Sequence, residues 1–195
     1  MEIDVKEILY SVLTEMGKGN IESTIASDPS QIPAVIKEVS ARCIDLLNSY
    51  TDYDKPKTYG GISEALMHYL LTVTMIPSER KVKYDNDVEI DLVIPTLRQL
   101  KADPERTLVI SFPKSLDGSY IKTHIDRLLK VQPNRKNVWL VFGYYDHTLD
   151  PPQGFSVFIQ DSFVKEPFKP LSSIIDEIKL FVETNKIKSF RIFRS

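Results

Sequence analysis

The chain is organised around Val88-Glu89-Ile90-Asp91-Leu92-Val93-Ile94, which is followed by a second run, Leu108-Val109-Ile110-Ser111-Phe112-Pro113-Lys114. Both runs are short, apolar and β-branched, and both are bounded by turn residues, which predicts two buried strands. The first run carries carboxylates in its middle. Because burial of a carboxylate is costly unless it is paired, hydrogen-bonded or bound to a cation, Asp91 lies either at a strand end open to water or in a functional site.

The sequence on either side of these runs predicts a sheet. The tight turn Asp85-Asn86-Asp87 joins two β-patterned segments into a hairpin. The fully apolar run Val138-Trp139-Leu140-Val141-Phe142 is typical of a central strand. In all, we predict strands over residues 80–84, 88–94, 107–114, 138–142, 155–159 and 190–193.

Helical periodicity predicts helices over residues 4–17, 32–50, 61–74, 119–130 and 171–184. Gly17 and Gly19 are expected to end the first helix, and residues 50–61 to form a polar loop closing on Gly60-Gly61. A hairpin followed by a strand–helix–strand crossover gives an α/β (α+β) fold with a mixed central sheet flanked by helices. Residues 1–60 would form a helical segment packed on a core of residues 61–195, within one domain.

Composition narrows the class of protein. A hydrophobic content of 42% and a charged content of 27% are ordinary for a globular protein. The single cysteine, Cys43, excludes an internal disulfide, and its place in a helical pattern indicates a buried thiol. Because there is no signal peptide and no apolar stretch near the roughly 18 residues that cross a bilayer, we expect a cytoplasmic protein without a membrane partner. A net charge of −2 disfavours a wholly basic nucleic-acid binder but allows a local basic surface.

The order of elements over residues 61–142 resembles the core of the PD-(D/E)XK nuclease superfamily, a restriction-endonuclease-like core. In that superfamily a glutamate often lies on the first core helix, an aspartate on the second strand, and an acid and a lysine two residues apart on the third strand. Matched residue by residue, Glu64, Asp91 and Lys114 take the helix, second-strand and lysine positions. The pattern breaks at the third-strand acid, which falls on Phe112.

The resemblance implies phosphodiester hydrolysis with Mg²⁺, which takes hard oxygen ligands such as carboxylates. Glu64, Asp91 and Lys114 are the expected catalytic residues, and Glu64, Glu89 and Asp91 the expected metal ligands. Residues 89 and 91 share one side of a regular strand, as do 112 and 114. Glu89, Glu64 or Asp117 could replace the acid that Phe112 lacks. If none of them does, the protein holds no cofactor.

Two functions remain open at this stage. The first is a nuclease, or a relative acting on nucleic acid. The second is a catalytically inactive binding or assembly module, which the phenylalanine favours, with a homodimer interface built from the N-terminal helices. Fold alone does not decide between them.

The remaining features are weaker. Basic residues cluster at residues 80–83, 127–136 and 186–194, and each cluster suits phosphate contacts or a solvated face. Tyr144-Tyr145-Asp146-His147 suits base stacking or a packed surface loop. His68 and His124 lack a second histidine or cysteine at metal spacing, which disfavours zinc. Ser111-Phe112-Pro113-Lys114 matches a serine–lysine hydrolase string, but at the end of a strand and not at a helix start.

Overall fold

The computed structural model describes residues 3–85, 88–146 and 150–187. Within these residues, a six-stranded mixed sheet runs in the order β1 to β6. The first three strands are antiparallel, and each strand from β3 to β6 is parallel to its neighbour. The strands are β1 Glu79–Lys83, β2 Glu89–Ile94, β3 Leu108–Ser111, β4 Val138–Phe142, β5 Ser156–Ile159 and β6 Lys169–Pro170. The predicted mixed sheet is confirmed. The strand predicted at 190–193 lies outside the described residues.

Seven α-helices flank the sheet in the described part of the chain. They are α1 Val5–Glu15, α2 Lys18–Ser27, α3 Ile32–Leu47, α4 Lys55–Val73, α5 Leu97–Ala102, α6 Gly118–Val131 and α7 Ile174–Thr184. Five of them correspond to predicted helices. Of the other two, α5 replaces part of an expected polar connection and α2 follows directly on Gly17, whose φ of 80° reverses the chain so that a second helix begins where only a stop was expected.

Helix α4 begins six residues earlier than its sequence pattern predicts. The Asp54 carboxylate accepts a hydrogen bond from the Lys57 amide at 3.0 Å, and Pro56 occupies the first turn. This cap and proline outweigh the low helix propensity of Gly60 and Gly61, which lie inside the helix. The proposed boundary at residue 60 therefore falls within α4.

Two cores cover the two faces of the sheet. Helices α1, α2, α3, α4 and α7 pack on one face, where their apolar residues join Leu92, Ile110 and Val141 in the helical core. Helix α6 and Leu100 of α5 pack on the other face, against residues such as Ile90 and Val109, in the opposite core. The N-terminal helices thus share the helical core with the sheet. Among the described residues, no helix is long and apolar enough to span a membrane.

Candidate functional site

Asp91 lies where the pairing of β2 and β3 ends. The last paired residues at this end are Leu92 and Ile110, so Asp91 lies opposite Ser111. Its Oδ2 accepts hydrogen bonds from the Ser111 hydroxyl at 2.8 Å and from the Phe112 amide at 2.9 Å. The carboxylate therefore accepts the Phe112 amide just beyond the last paired residues of the two strands.

The alternation of faces along β2 slips at this residue. Ile90 packs in the opposite core and Leu92 in the helical core, although a regular strand would place residues 90 and 92 on the same face. The irregularity places Leu92 in the helical core and leaves Asp91 lining a cleft beside α4. Glu89 is exposed and does not line the cleft that contains Asp91. The structure does not bring Glu89 to the other candidate metal ligands, Glu64 and Asp91, among the described residues.

Helix α4 reaches the ends of the central strands because glycines remove side chains at the contact. A Cβ on Gly143, just after β4, would lie 2.2 Å from the Tyr59 carbonyl oxygen of α4. A Cβ on Gly60 would lie 3.1 Å from the Pro113 carbonyl oxygen. Real Cβ atoms do not approach backbone as closely as the first distance, so the helix needs Gly143 to sit where it does. This close approach brings Glu64, one turn along α4, over the strand ends.

The structure brings Glu64, Asp91 and Lys114 together and adds a fourth residue, Lys81 of β1. Lys114 Nζ lies 2.7 Å from Glu64 Oε2. Lys81 Nζ lies 2.8 Å from Glu64 Oε1 and 3.0 Å from Asp91 Oδ1. We call these four residues the carboxylate–lysine cluster. It contains two carboxylates and two ammonium groups, so its side-chain charges balance.

Both charged partners of the Lys81–Asp91 pair are held in their ionised forms. Burial raises the pKa of the Asp91 carboxyl, but the Phe112 amide and the Lys81 ammonium outweigh burial, and the pKa falls below its ordinary value. Burial likewise lowers the pKa of Lys81, and the Glu64 and Asp91 carboxylates outweigh it, so the pKa rises. Lys81 and Asp91 therefore remain a charged pair at neutral pH.

A polar chain behind Asp91 was missed by the sequence analysis. The Ser111 hydroxyl donates to Asp91 and lies 2.7 Å from His124 Nε2, which requires that nitrogen to carry the proton and donate to Ser111. The His124 ring stacks on Tyr120, with centroids 5.8 Å apart. Burial is the main cause that lowers the pKa of His124, so the neutral ring fits this role. In the sequence, His124 is one residue of a helix without a metal-type partner, and no local signal links it to a strand.

Lys81 could have been found from the sequence. The turn at residues 85–87 centres the hairpin on residue 86, and an antiparallel pairing around that centre places residue 81 opposite residue 91. The structure has this register, with Arg80 paired to Leu92 and Val82 to Ile90. The signal is the combination of the turn with the basic segment 80–83, because together they place a cation opposite Asp91.

A cleft of about 490 Å³ opens beside the cluster. Glu64, Asp91 and Lys114 line it, and Phe112 forms an apolar part of its wall, 5.8 Å from Lys114 Nζ measured to the ring centroid. Phe112 and Lys114 thus face the same cleft, although both lie beyond the end of β3. The remaining polar lining is mainly cationic or titratable and consists of Lys6, Lys57, His68 and Arg80, with Asp54 and Thr58.

The residues fit a divalent cation through two carboxylates. The Lys81 ammonium marks a point within 2.8 Å of a Glu64 oxygen and 3.0 Å of an Asp91 oxygen, so both carboxylates already converge on one cation. Mg²⁺ is commonly held by one or two carboxylates together with water and phosphate. A fuller cage is absent, because no group of three or more His, Cys, Asp or Glu residues lies together in the described part of the chain.

The other features singled out in the sequence lie outside this cluster. Tyr144 packs edge-on against Tyr59 and Phe163, and Tyr145 against Phe168, as in a packed loop. His147 and residues 188–194 lie outside the described residues. Cys43 is fully buried in α3, and burial raises its thiol pKa to about 12.

No sequence model of a protein family matches this chain, and no curated protein matches it. Among solved structures, the chain is similar to the restriction endonuclease PspGI in complex with substrate DNA, with a TM-score of 0.61, 16% identity and coverage of 92% of this chain and 93% of that chain. It is also similar to metal-depleted Ecl18kI in complex with uncleaved, modified DNA, with a TM-score of 0.58, 12% identity and coverage of 98% and 83%. The chain has a restriction-endonuclease-like fold. The fold prediction is confirmed, and at these identities the likeness establishes architecture alone.

Proposed function

We propose that this protein binds DNA at the cleft and hydrolyses phosphodiester bonds with Mg²⁺, as a member of the PD-(D/E)XK superfamily. One observation carries the proposal: a Glu64 oxygen and an Asp91 oxygen converge on a single cation position, with Lys114 bound to the other Glu64 oxygen. The DNA complexes of the two structural neighbours favour DNA as the nucleic acid.

Each residue has a distinct role in this proposal. Asp91 and Glu64 would hold the divalent cation, which would supply Lewis-acid stabilisation of the phosphate charge and orient the attacking water. Asp91 is fixed for this role by the Phe112 amide and Ser111 hydroxyl, and His124 fixes Ser111 in turn. Lys114, at the cleft wall, places an ammonium where negative charge develops on the phosphate oxygens.

The cationic lining supports binding of a polyanion. Lys6 and Arg80 are exposed at the cleft, and they are joined there by His68. Phosphate contacts from lysine and arginine supply most of the sequence-independent affinity for DNA and release counterions. Binding at the cleft should therefore weaken steeply as the salt concentration rises.

Cleavage assays with purified protein test the proposal. The wild-type chain is incubated with single-stranded, duplex and branched DNA in Mg²⁺ or Mn²⁺, beside Asp91→Ala and a matched control, Asp45→Ala, which changes an exposed aspartate of α3. We expect cleavage by the wild type and the control, and none by Asp91→Ala. A wild type that leaves all three substrates intact with both metals would contradict the proposal.

A second function is favoured by Phe112, which is buried where the superfamily places an acid. In this alternative the protein is a catalytically inactive binding or assembly subunit, and residues 1–60 form a homodimer interface through exposed apolar residues such as Tyr10 and Leu46. Sedimentation velocity, which measures the oligomeric state, and filter binding of DNA at a stated salt concentration distinguish this alternative from the nuclease. A dimer that neither binds nor cleaves DNA supports the alternative.

A further inference from the structure

Lys81 occupies the point on which both carboxylates converge. Its ammonium lies 2.8 Å from Glu64 Oε1 and 3.0 Å from Asp91 Oδ1, while Lys114 holds only the other Glu64 oxygen, Oε2. The two lysines are thus not equivalent. Lys114 approaches one carboxylate from the cleft wall, and Lys81 bridges the pair.

The backbone at Lys81 is specialised for this position. Its φ of 50° lies in the left-handed region, which disfavours residues with a Cβ, although it stands within a strand. The residues on either side of Lys81 face different sides of the sheet: Arg80 lines the cleft, and Val82 packs against the opposite core. The neighbouring β2 strand slips faces at Asp91, the residue opposite. The two irregularities meet at the Lys81–Asp91 pair.

A bridging ammonium and a divalent cation cannot share these oxygens. Both would need to lie within a few ångströms of the same Glu64 and Asp91 atoms, and like charges at that separation repel strongly in a partly buried site. The Lys81 side chain is 46% exposed, so it has open space into which it can withdraw. Lys114 and its contact with Oε2 need not move for this exchange.

We propose that Lys81 is an internal cation that competes with the divalent metal for Glu64 and Asp91, holding the two carboxylates together until the metal displaces it. This inference rests on the proposed function, because it takes the same carboxylates as the metal site. It deepens that function by making Lys81 a positioning residue of the metal-free site, whose removal strengthens metal binding.

Equilibrium binding of Mn²⁺, followed by calorimetry and by electron paramagnetic resonance of the free ion at constant ionic strength, tests the inference without DNA. The variants are Lys81→Met, which removes the charge, and Lys81→Gly, which also relieves the left-handed backbone. The matched control is Lys83→Met, an exposed lysine of the same strand that forms no ion pair with a described residue. We expect both Lys81 variants to bind Mn²⁺ about tenfold tighter than the wild type, and the control to be unchanged.

Unchanged or weaker Mn²⁺ binding by both folded Lys81 variants would overturn the inference, as would no detectable Mn²⁺ binding by any of these proteins. Adding Asp91→Asn to Lys81→Met should abolish the gain; a gain that persists would place the metal elsewhere and also overturn it. The result is separable from the proposed function. Cleavage by the wild type with no gain in Lys81→Met would reject only the role of Lys81, whereas tighter Mn²⁺ binding without cleavage would reject only the nuclease.

Discussion

Two aspartates in this molecule have almost the same surroundings. Asp91 accepts a backbone amide from Phe112 and a hydroxyl from Ser111, and it pairs with a lysine. Asp161 accepts the Ser172 amide at 3.0 Å and the Ser172 hydroxyl at 2.6 Å, and Lys37 lies 3.8 Å away. Both side chains are 17% exposed, and both line a concave surface.

The difference lies in what the lysine touches next. Lys81 bridges Asp91 to Glu64, which Lys114 also contacts, whereas Lys37 pairs with Asp161 and with no other carboxylate in the described residues. The hydrogen bonds from Ser172 to Asp161 connect the end of β5 to the turn before α7, so Asp161 stabilises the fold there. A partly buried aspartate with several hydrogen-bond donors is therefore no sign of a site by itself. The second carboxylate, carried to the strand ends by α4, makes the difference.

The sharpest test of this difference compares two lysine–glutamate pairs. Lys114→Met removes the ammonium beside Glu64, and we expect cleavage to fall by about 10²-fold because charge on the phosphate is no longer stabilised. Lys169→Met removes the ammonium that pairs with Glu177 at 2.5 Å, near the Asp161 groove, and should leave cleavage unchanged. The rate of cleavage of a labelled DNA duplex under single-turnover conditions is the measurement. An equal loss of cleavage rate in Lys114→Met and Lys169→Met would show that the Asp91 region is no more functional than the Asp161 region.

Removing the second carboxylate should make the Asp91 region resemble the Asp161 region. In Glu64→Gln, Asp91 keeps its amide, hydroxyl and lysine partners, and we expect affinity for Mn²⁺ to fall about tenfold or more, because only one carboxylate remains. Glu177→Gln is the matched control, since it also breaks a lysine–glutamate pair. Mn²⁺ titration calorimetry reports both. Unaltered binding in Glu64→Gln would show that Glu64 is not a ligand.

The sequence predicts much of this arrangement and fails at identifiable places. Strand and helix periodicity predicts Asp91 on a strand and Glu64 on the adjoining helix, as the structure has them, because each lies in an apolar pattern. Lys114 is expected at the end of the third strand but lies beyond β3, which ends at Ser111. Periodicity assumes regular alternation, so it could not reveal the slip at Asp91 that places Ile90 and Leu92 in different cores. Periodicity also missed the first turns of α4, because their signal is the Asp54 cap and Pro56, not an apolar repeat, and Gly60 and Gly61 predict a turn.

In stability, as opposed to function, the two aspartates should behave alike. Asp91→Asn and Asp161→Asn each weaken a charge-assisted pair of hydrogen bonds, and we expect each to lower the free energy of unfolding by about 1 kcal/mol. Urea denaturation followed by circular dichroism measures both. A gain in stability for Asp91→Asn alone would instead indicate that the carboxylate–lysine cluster is strained, as functional sites sometimes are.

The smallest expected effect is the dependence of the Asp91 contribution on pH. The folded state lowers the pKa of Asp91 below its ordinary value of about 3.8, so the unfolded chain binds the proton more readily. The stabilisation is therefore fully present well above pH 3.8 and is lost as the pH falls through the lower, folded pKa. The difference in unfolding free energy between wild type and Asp91→Asn should be constant from neutral pH to about pH 5 and shrink below pH 4. Urea titrations of both proteins across this pH range measure the difference in unfolding free energy.

A difference that grows on acidification would mean that the Phe112 amide and Lys81 do not hold the ionised carboxylate. The resemblance between Asp91 and Asp161 would then be one of geometry alone.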